Sequence, residues 1–347
     1  PFNIIYSSGT TGTPKGIVQP HAMRWAHIAR NEAAGFGDAV TMVATPLYSN
    51  TTLVSFIPTL AWGGTAVLLG KFDARGFLEA AAKHRATHAM LVPVQYQRIM
   101  AVADFDAFDL SAFRLKTCTS APFSPALKAD VLARWPGLLV EYYGMTEGGG
   151  TSVLICNMFP AKLHTVGTPV AGHDIRLIDD EGSEVPQGGM GEVVGRSPAM
   201  MSGYHGRKQA SADAEWFDGD GNRYIRHGDV GRFDEDGFLI LMDRKKDLII
   251  SGGFNIYPSD LEAELMTHPG VRDCAVVGVP SEQWGETPVG FYVPSGATPA
   301  AEILAAVNAA LGKTQRLAAL VEIDELPRSA IGKILKRELR DRYLETA

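Results

Sequence analysis

Residues 39–70 read AVTMVATPLYSNTTLVSFIPTLAWGGTAVLLG, and no charged side chain interrupts them. A run of that length and apolarity suits either a membrane span or a deeply buried unit of a folded domain. Pro46, Pro58 and the Gly63-Gly64 pair interrupt a single spanning helix, and Ser49, Asn50, Thr51 and Thr52 would be stranded in hydrocarbon. A buried β-α-β unit satisfies the same pattern, with strands over residues 40–45 and 65–69. The expectation is a folded domain with no transmembrane segment.

Outward from this unit the same beat continues. Apolar, β-rich runs recur at 88–92, 115–119 and 138–143, with helical patterns at 77–84 and from a Ser124 cap to 135. Strands alternating with helices predict an α/β fold, a largely parallel sheet layer with flanking helices on both faces. Ligands of such sheets bind beyond the carboxyl ends of the strands. That rule places 7–16, 48–50, 120–122 and 143–147 along one rim.

After about residue 163 the texture changes. Short alternating strands are joined by Asp179-Asp180-Glu181-Gly182, Asp218-Gly219-Asp220-Gly221 and Asp234-Glu235-Asp236-Gly237, which read as hairpin turns in a small barrel or sandwich. A calcium loop starting at Asp218 fails, because its sixth position is Arg223 and not glycine. The charged knot Asp243-Arg244-Lys245-Lys246-Asp247 then opens a final α+β segment. There Ser259-Asp260-Leu261-Glu262 reads as a capping box, strands are expected at 274–279 and 290–293, and an Ala-rich helix at 300–311. A last helix should carry Ile331, Leu335 and Leu339 on one face. The predicted divisions are an α/β part at 1–163, a small β-barrel-like subdomain at 164–243, and an α+β C-terminal domain at 244–347.

Composition bounds the function. The 347 residues suffice for two or three domains with their own cores. Lys plus Arg is 32 and Asp plus Glu 39, so the net charge is 32 − 39 = −7, which argues against a nucleic-acid surface as the main partner. Cys118, Cys156 and Cys274 are far apart and form neither a disulfide framework nor a CxxC pair, pointing to a reducing, cytoplasmic setting. None of the nine histidines falls in an HExxH-type ligand pair. Neither a basic leader nor an initiator methionine opens the sequence at Pro1, so it reads as part of something longer.

The first chemical motif is Tyr6-Ser7-Ser8-Gly9-Thr10-Thr11-Gly12-Thr13-Pro14-Lys15-Gly16. Its glycines allow close backbone approach, its hydroxyls and N–H groups suit a phosphate chain, and Lys15 adds a cation. It is not a Walker A loop, because Lys15 follows Pro14 and precedes Gly16. This stretch resembles the signature loop of the adenylate-forming superfamily: acyl-CoA synthetases, peptide-synthetase adenylation domains and luciferases. Later blocks agree in order: Tyr143-Gly144-Met145-Thr146-Glu147, His227-Gly228-Asp229, 243–247, Ser251-Gly252-Gly253-Phe254-Asn255 and Pro327-Arg328-Ser329-Ala330-Ile331-Gly332-Lys333. The resemblance spans essentially the whole chain and implies a further portion of the family fold upstream of the loop.

The resemblance implies a site residue by residue. Ser7, Ser8, Gly9, Thr10, Thr11, Gly12 and Lys15 would cradle the phosphates of ATP, and Ser120, Ala121, Pro122 and Gly144 would be among the cofactor-binding residues. Glu147 would hold Mg²⁺ beside the triphosphate, and Thr146 would hydrogen-bond the α-phosphate. Tyr143 offers a stacking face for adenine, or is a core aromatic. Asp229 would accept both ribose hydroxyls, or is a turn aspartate. Arg244 would reach the same ribose, or is a solvated charge. Lys333 is the expected catalytic cation, neutralising charge that builds as a carboxylate attacks the α-phosphate. Lys246 matches the hinge of a mobile C-terminal domain, and Gly252, Gly253 and Phe254 match the loop that lines the pantetheine passage.

Two features depart from the family's pattern. Tyr48-Ser49-Asn50 stands where an aromatic or histidine often follows the proline. Gly148-Gly149-Gly150 is unusually bare, either widening an acyl pocket or permitting close helix packing. No charged residue near these loops would fix an amino or a second carboxylate group, so the expected substrate is a hydrophobic acid, fatty or aryl. The expected activity is ATP- and Mg²⁺-dependent acyl-CoA ligation through an acyl-adenylate, releasing pyrophosphate and AMP. The alternatives are an adenylation domain loading a carrier-protein pantetheine and a non-catalytic nucleotide-binding remnant.

Overall fold

The computed structural model describes residues 1–7, 14–29, 34–329 and 332–346. Its elements run β1 (Asn3–Tyr6), β2 (Gly16–Gln19), α1 (His21–Ala29), β3 (Val40–Val43), α2 (Asn50–Ala61), β4 (Thr65–Leu68), α3 (Ala74–Lys83), β5 (His88–Leu91), α4 (Pro93–Met100), β6 (Leu115–Cys118), α5 (Pro125–Arg134), β7 (Leu138–Gly144) and β8 (Thr151–Ile155). They continue through β9 (Thr168–Pro169), β10 (Asp174–Ile178), β11 (Gly191–Arg196), β12 (Gly203–Tyr204), α6 (Lys208–Asp213), β13 (Glu215–Phe217), β14 (Arg223–Phe233) and β15 (Leu239–Arg244). The last are β16 (Ile249–Ser251), β17 (Phe254–Ile256), α7 (Pro258–Thr267), β18 (Val271–Ser281), β19 (Gly285–Pro294), α8 (Ala300–Ala310), β20 (Ala319–Glu322) and α9 (Lys336–Thr346). The chain divides into two compact units, Pro1–His227 with Arg232–Ile240, and Gly228–Gly231 with Leu241–Ala347. No helix among the described residues is long and apolar enough to cross a membrane.

In the first unit a seven-stranded sheet has the order β4-β3-β5-β6-β7-β8-β9. β4 to β7 pair in parallel, while β8 and β9 are antiparallel additions. The uncharged run folds as β3, α2 and β4. Pro58 does not interrupt it: the proline lies inside α2, on a face where Thr51, Thr52, Ser55 and Thr59 are also buried. Burial against the sheet outweighs the missing N–H, and the Thr59 hydroxyl bonds the Ser55 carbonyl (2.8 Å). Trp135 anchors the core beside α5, with the rings of Phe77, Tyr96, Phe105 and Phe113 at 5.1–5.9 Å. Ser124 caps α5 by accepting from the Leu127 N–H.

The three Asp/Gly turns form as expected. Asp179 takes the Ser183 N–H, Asp218 the Asn222 N–H and Asp234 the Phe238 N–H, each at 2.8 Å. They serve a sheet of order β10-β11-β14-β13, with β15 on β14, in which β10 with β11 and β13 with β14 pair antiparallel. β1 and β2, on either side of the signature stretch in the sequence, pair in a third sheet of order β1-β2-β12.

The second unit is built on β18 and β19. Cys274 and Val276 face a cluster with Leu261, Leu265 and Ile303. Ala275, Val277 and Val279 face the opposite way, toward Leu326 and Leu339. The period-2 alternation of a strand buried on both faces explains the near-continuous apolar run. Two expectations fail here. The capping box does not form, because Pro258 takes the first helical position and Ser259 lies inside α7. Ser259 instead donates its N–H to Asp243 (2.8 Å) and its hydroxyl to the Met242 carbonyl (2.6 Å), while Glu262 accepts the Val276 N–H. The last helix starts at Lys336 and not at 331, because the Leu335 N–H closes a turn onto the Pro327 carbonyl (2.9 Å).

Candidate active site

In the first unit, residues after β3, β6 and β7 lie at the carboxyl ends of parallel strands, as the rim rule requires. β2 is tied to this rim by a side chain. Gln19, buried at the end of β2, donates to the Thr146 carbonyl (2.8 Å) and the Asn50 Oδ1 (3.4 Å), and accepts from Arg24. Ser7 donates its N–H to the Lys15 carbonyl (3.0 Å), closing the base of the loop. Ser8, Gly9, Thr10, Thr11, Gly12 and Thr13 lie outside the described residues.

Glu147 follows β7 and is buried. Its backbone carbonyl accepts from Met201, and its Oε1 accepts the Tyr204 hydroxyl (2.8 Å). Burial first, and then the adjacent Glu147, raises the Tyr204 hydroxyl well above the usual tyrosine range, so it stays a donor. The Lys15 Nζ sits 4.9 Å over the same ring. Among the described residues no group of three or more His, Cys, Asp or Glu could hold a metal ion. A lone carboxylate fits Mg²⁺, which takes one or two carboxylates and completes its shell with phosphate and water.

Tyr143 is buried, its hydroxyl 3.0 Å from His227 Nδ1 and its ring tilted 34° to the imidazole. His227 Nε2 in turn bonds the Gly149 carbonyl (2.5 Å). Ser120 has φ +83°, a left-handed backbone that a serine adopts at a cost, and its hydroxyl meets the Thr51 hydroxyl at 2.6 Å. Ala121 is half-buried, while Pro122 and Gly144 are exposed. The glycine triad answers a packing need. A Cβ on Gly148 would fall 1.7 Å from the Ala199 carbonyl oxygen, and one on Gly149 would fall 2.6 Å from the Ile225 Cβ. The neighbours include a helix: beside Gly148 the same Cβ would fall 2.9 Å from the Met23 Cε of α1.

The second unit gathers the remaining groups. Asp229 pairs with Arg244 Nε (3.1 Å), and Lys246 faces Asp247 (3.5 Å) in the 3-10 turn Lys245–Asp247. Lys333 is half-buried in a tight turn three residues before α9, not at its start. Its carbonyl accepts from Ser329 (2.8 Å), and its N–H reaches the Ser329 hydroxyl (3.2 Å). Arg328 ties the turn down through the Gly332 carbonyl (2.9 Å) and Asp273 (2.6 Å), and Gly332 takes φ +77°. Ala330 and Ile331 lie outside the described residues. Burial, then the Arg244 charge, lowers the Lys333 ammonium from 10.5 to about 8, with Asp229 opposing. Gly252 and Gly253 both have positive φ between β16 and β17, and Phe254 is exposed. Gly252 donates to the Trp284 carbonyl (2.8 Å).

Sequence reasoning missed Tyr204, Gln19 and Asp247, and gave His227 no role. Tyr204 and Glu147 are 57 positions apart and Gln19 and Thr146 are 127 apart, so no local spacing could have joined them.

Residues 1–205 match the model for AMP-binding enzymes, and residues 260–333 the model for the AMP-binding enzyme C-terminal domain. The chain is 37% identical over 350 residues to a feruloyl-CoA synthase of an Amycolatopsis species, covering 98% of this chain and 69% of that one. It is 33% identical over 360 residues to the fatty acid–[acyl-carrier-protein] ligase ScoC of Streptomyces coeruleorubidus, covering 99% and 67%. It resembles the solved o-succinylbenzoate coenzyme A synthetase of Bacillus subtilis in complex with ATP and magnesium ion. That likeness has a TM-score of 0.84 at 28% identity and covers 97% of this chain and 69% of that one.

Proposed function

The chain belongs to the AMP-binding enzymes, and from that premise we propose that it joins a hydrophobic carboxylic acid, aryl or fatty, to the thiol of free coenzyme A. The chemistry is that of an AMP-forming acid–thiol ligase using ATP, Mg²⁺ and coenzyme A. The observation that carries the acid class is the charge of the rim. Residues 44–56, 119–123 and 143–150 contain one charged side chain, Glu147, and its Oε1 is taken by Tyr204. Nothing there would pair an amino or second carboxylate group, whereas an apolar acid leaves no charge unpaired. The feruloyl-CoA synthase relative supports an aryl acid.

In this reading the acid's carboxylate oxygen attacks the α-phosphorus of ATP and the bond to pyrophosphate breaks. Lys333 neutralises charge at the reacting phosphate, and Thr146 donates to it. Ser7 and Lys15, with the rest of the signature loop, hold the phosphate chain, aided by Ser120, Ala121, Pro122 and Gly144. Glu147 would hold Mg²⁺, which neutralises triphosphate charge when bound. Asp229 and Arg244 hold the ribose, and Tyr143 borders the adenine. The coenzyme A sulfur then attacks the acyl carbon, and AMP leaves. Gly252, Gly253 and Phe254 border the thiol arm in this second step, and Lys246 is the hinge between the two steps.

The test is acid-dependent pyrophosphate exchange and thioester formation across a panel of aryl, fatty, amino and dicarboxylic acids. Aryl or fatty acids should be preferred, with free coenzyme A as acceptor. Preference for an amino or dicarboxylic acid would overturn the acid class. A holo-carrier protein outcompeting free coenzyme A would favour the second reading, which the ScoC relative supports.

A further inference from the structure

Tyr204 has no role in the scheme above, yet its surroundings are built with care. It lies on β12, a two-residue strand that pairs with β2 in the register Gly203 to Val18 and Tyr204 to Ile17. The flanking backbone is tied to both halves of the site. Met201 donates to the Glu147 carbonyl (2.8 Å), Ser202 to Val18 (2.9 Å) and His205 to Gly16 (2.7 Å). The Tyr204 N–H is taken by the Ser211 hydroxyl (2.8 Å). The ring is therefore fixed by backbone bonds to the strand that leaves the signature loop and to the residue that bears the carboxylate.

The side chain uses that fixed position twice. Its hydroxyl donates to Glu147 Oε1 (2.8 Å), and its face lies under the Lys15 ammonium (4.9 Å). A phenol is a neutral donor. It restricts the carboxylate's rotation without neutralising it, so the full negative charge stays available to a cation at the other oxygen. A lysine or arginine in its place would consume that charge in an ion pair. In contact with both groups, the ring also offers Lys15 a resting place that is not Glu147.

We propose that Tyr204 is the positioning residue of the metal–nucleotide site, orienting the Glu147 carboxylate toward Mg²⁺ and parking Lys15 beside it. The proposal rests on the reading of Glu147 as the metal-holding carboxylate. Partners of a metal-binding group that hold its geometry characteristically alter metal affinity by about 10- to 100-fold when removed.

The experiment is ATP binding by calorimetry across a MgCl₂ series, without acid or coenzyme A, for wild type, Tyr204→Phe, Glu147→Gln and the double variant. Phenylalanine keeps the ring under Lys15 and removes only the hydroxyl. Tyr204→Phe should need about 10-fold more Mg²⁺ for half-maximal tightening of ATP binding. Its ATP binding in EDTA should match wild type, which also verifies its folding. In the Glu147→Gln background the tyrosine change should add nothing. Tyr204→His, which keeps a ring donor, is the second variant and should fall between wild type and Tyr204→Phe. An unchanged Mg²⁺ requirement in Tyr204→Phe, with a shifted one in Glu147→Gln, would overturn the role of Tyr204 alone. An unchanged requirement in Glu147→Gln would overturn the metal reading and this proposal together. Equal shifts from Tyr204→Phe in both backgrounds would show that the hydroxyl does not act through Glu147.

Discussion

The surroundings of Glu147 and of Lys333 handle charge in opposite ways. Glu147 meets neutral groups: the Tyr204 hydroxyl at its carboxylate and the Met201 N–H at its carbonyl, with a Gln19 amide on the preceding residue. Lys333 is surrounded by Arg244, Asp229, Lys246 and Asp247, all influencing its proton. Neutral donors fix where a charge points, while buried charged neighbours set whether a charge is present at all. The first arrangement suits a group that must stay in one place. The second suits a group whose protonation lies near the working pH.

The contrast extends to the core of the first unit, where Lys128 is buried against Glu141 (2.5 Å) and bonds the Leu163 and Thr165 carbonyls. Lys128→Met would leave Glu141 buried without its cation, and burial already pushes that carboxyl upward. The expected loss is about 3–5 kcal/mol in chemical denaturation, with the pH profile of the surviving activity unchanged. A pH profile that moves would mean that charge in the first unit also tunes the chemistry.

Lys333→Ala is expected to slow acyl-adenylate formation by at least about 100-fold, the scale of losing one preorganised donor in a transition state. Thioester formation from supplied acyl-adenylate should remain. Equal damage to both half-reactions would remove the distinction between the two clusters. Lys246→Pro fixes φ near −65° in the Lys245–Asp247 turn. It should lower thioester formation by roughly 10- to 100-fold, as misplacement at a reacting centre does, and spare adenylation. Normal turnover in that variant would place the hinge elsewhere.

Most of the fold was legible because its signals are local. The parallel strands fall within one or two residues of the β-branched runs, and each Asp/Gly turn satisfies its own backbone with its own aspartate. The failures are places where distant groups outcompeted local ones. Asp243 took the N–H that Ser259 was expected to use in a local cap, and Pro327 took the N–H that would have extended α9. The motifs marked Glu147, Asp229 and Lys333 by their neighbours in sequence. Tyr204 and Gln19 carry no such mark. Their meaning lies in the side chains that pairing of β12 with β2 and the run of β7 bring to them.

The most direct test of the account is the pH dependence of the two half-reactions measured separately. In the proposed role Lys333 acts protonated, and burial lowers its ammonium from 10.5 to about 8. Adenylation should therefore be level below about pH 8 and fall as pH rises through it, roughly tenfold per unit beyond. Thioester formation from supplied acyl-adenylate should not fall with it, since the attacking thiol ionises over the same range and gains reactivity. Adenylation that stays level to pH 10, or a shared falling limb in both half-reactions, would contradict the assignment of Lys333 to the first step alone.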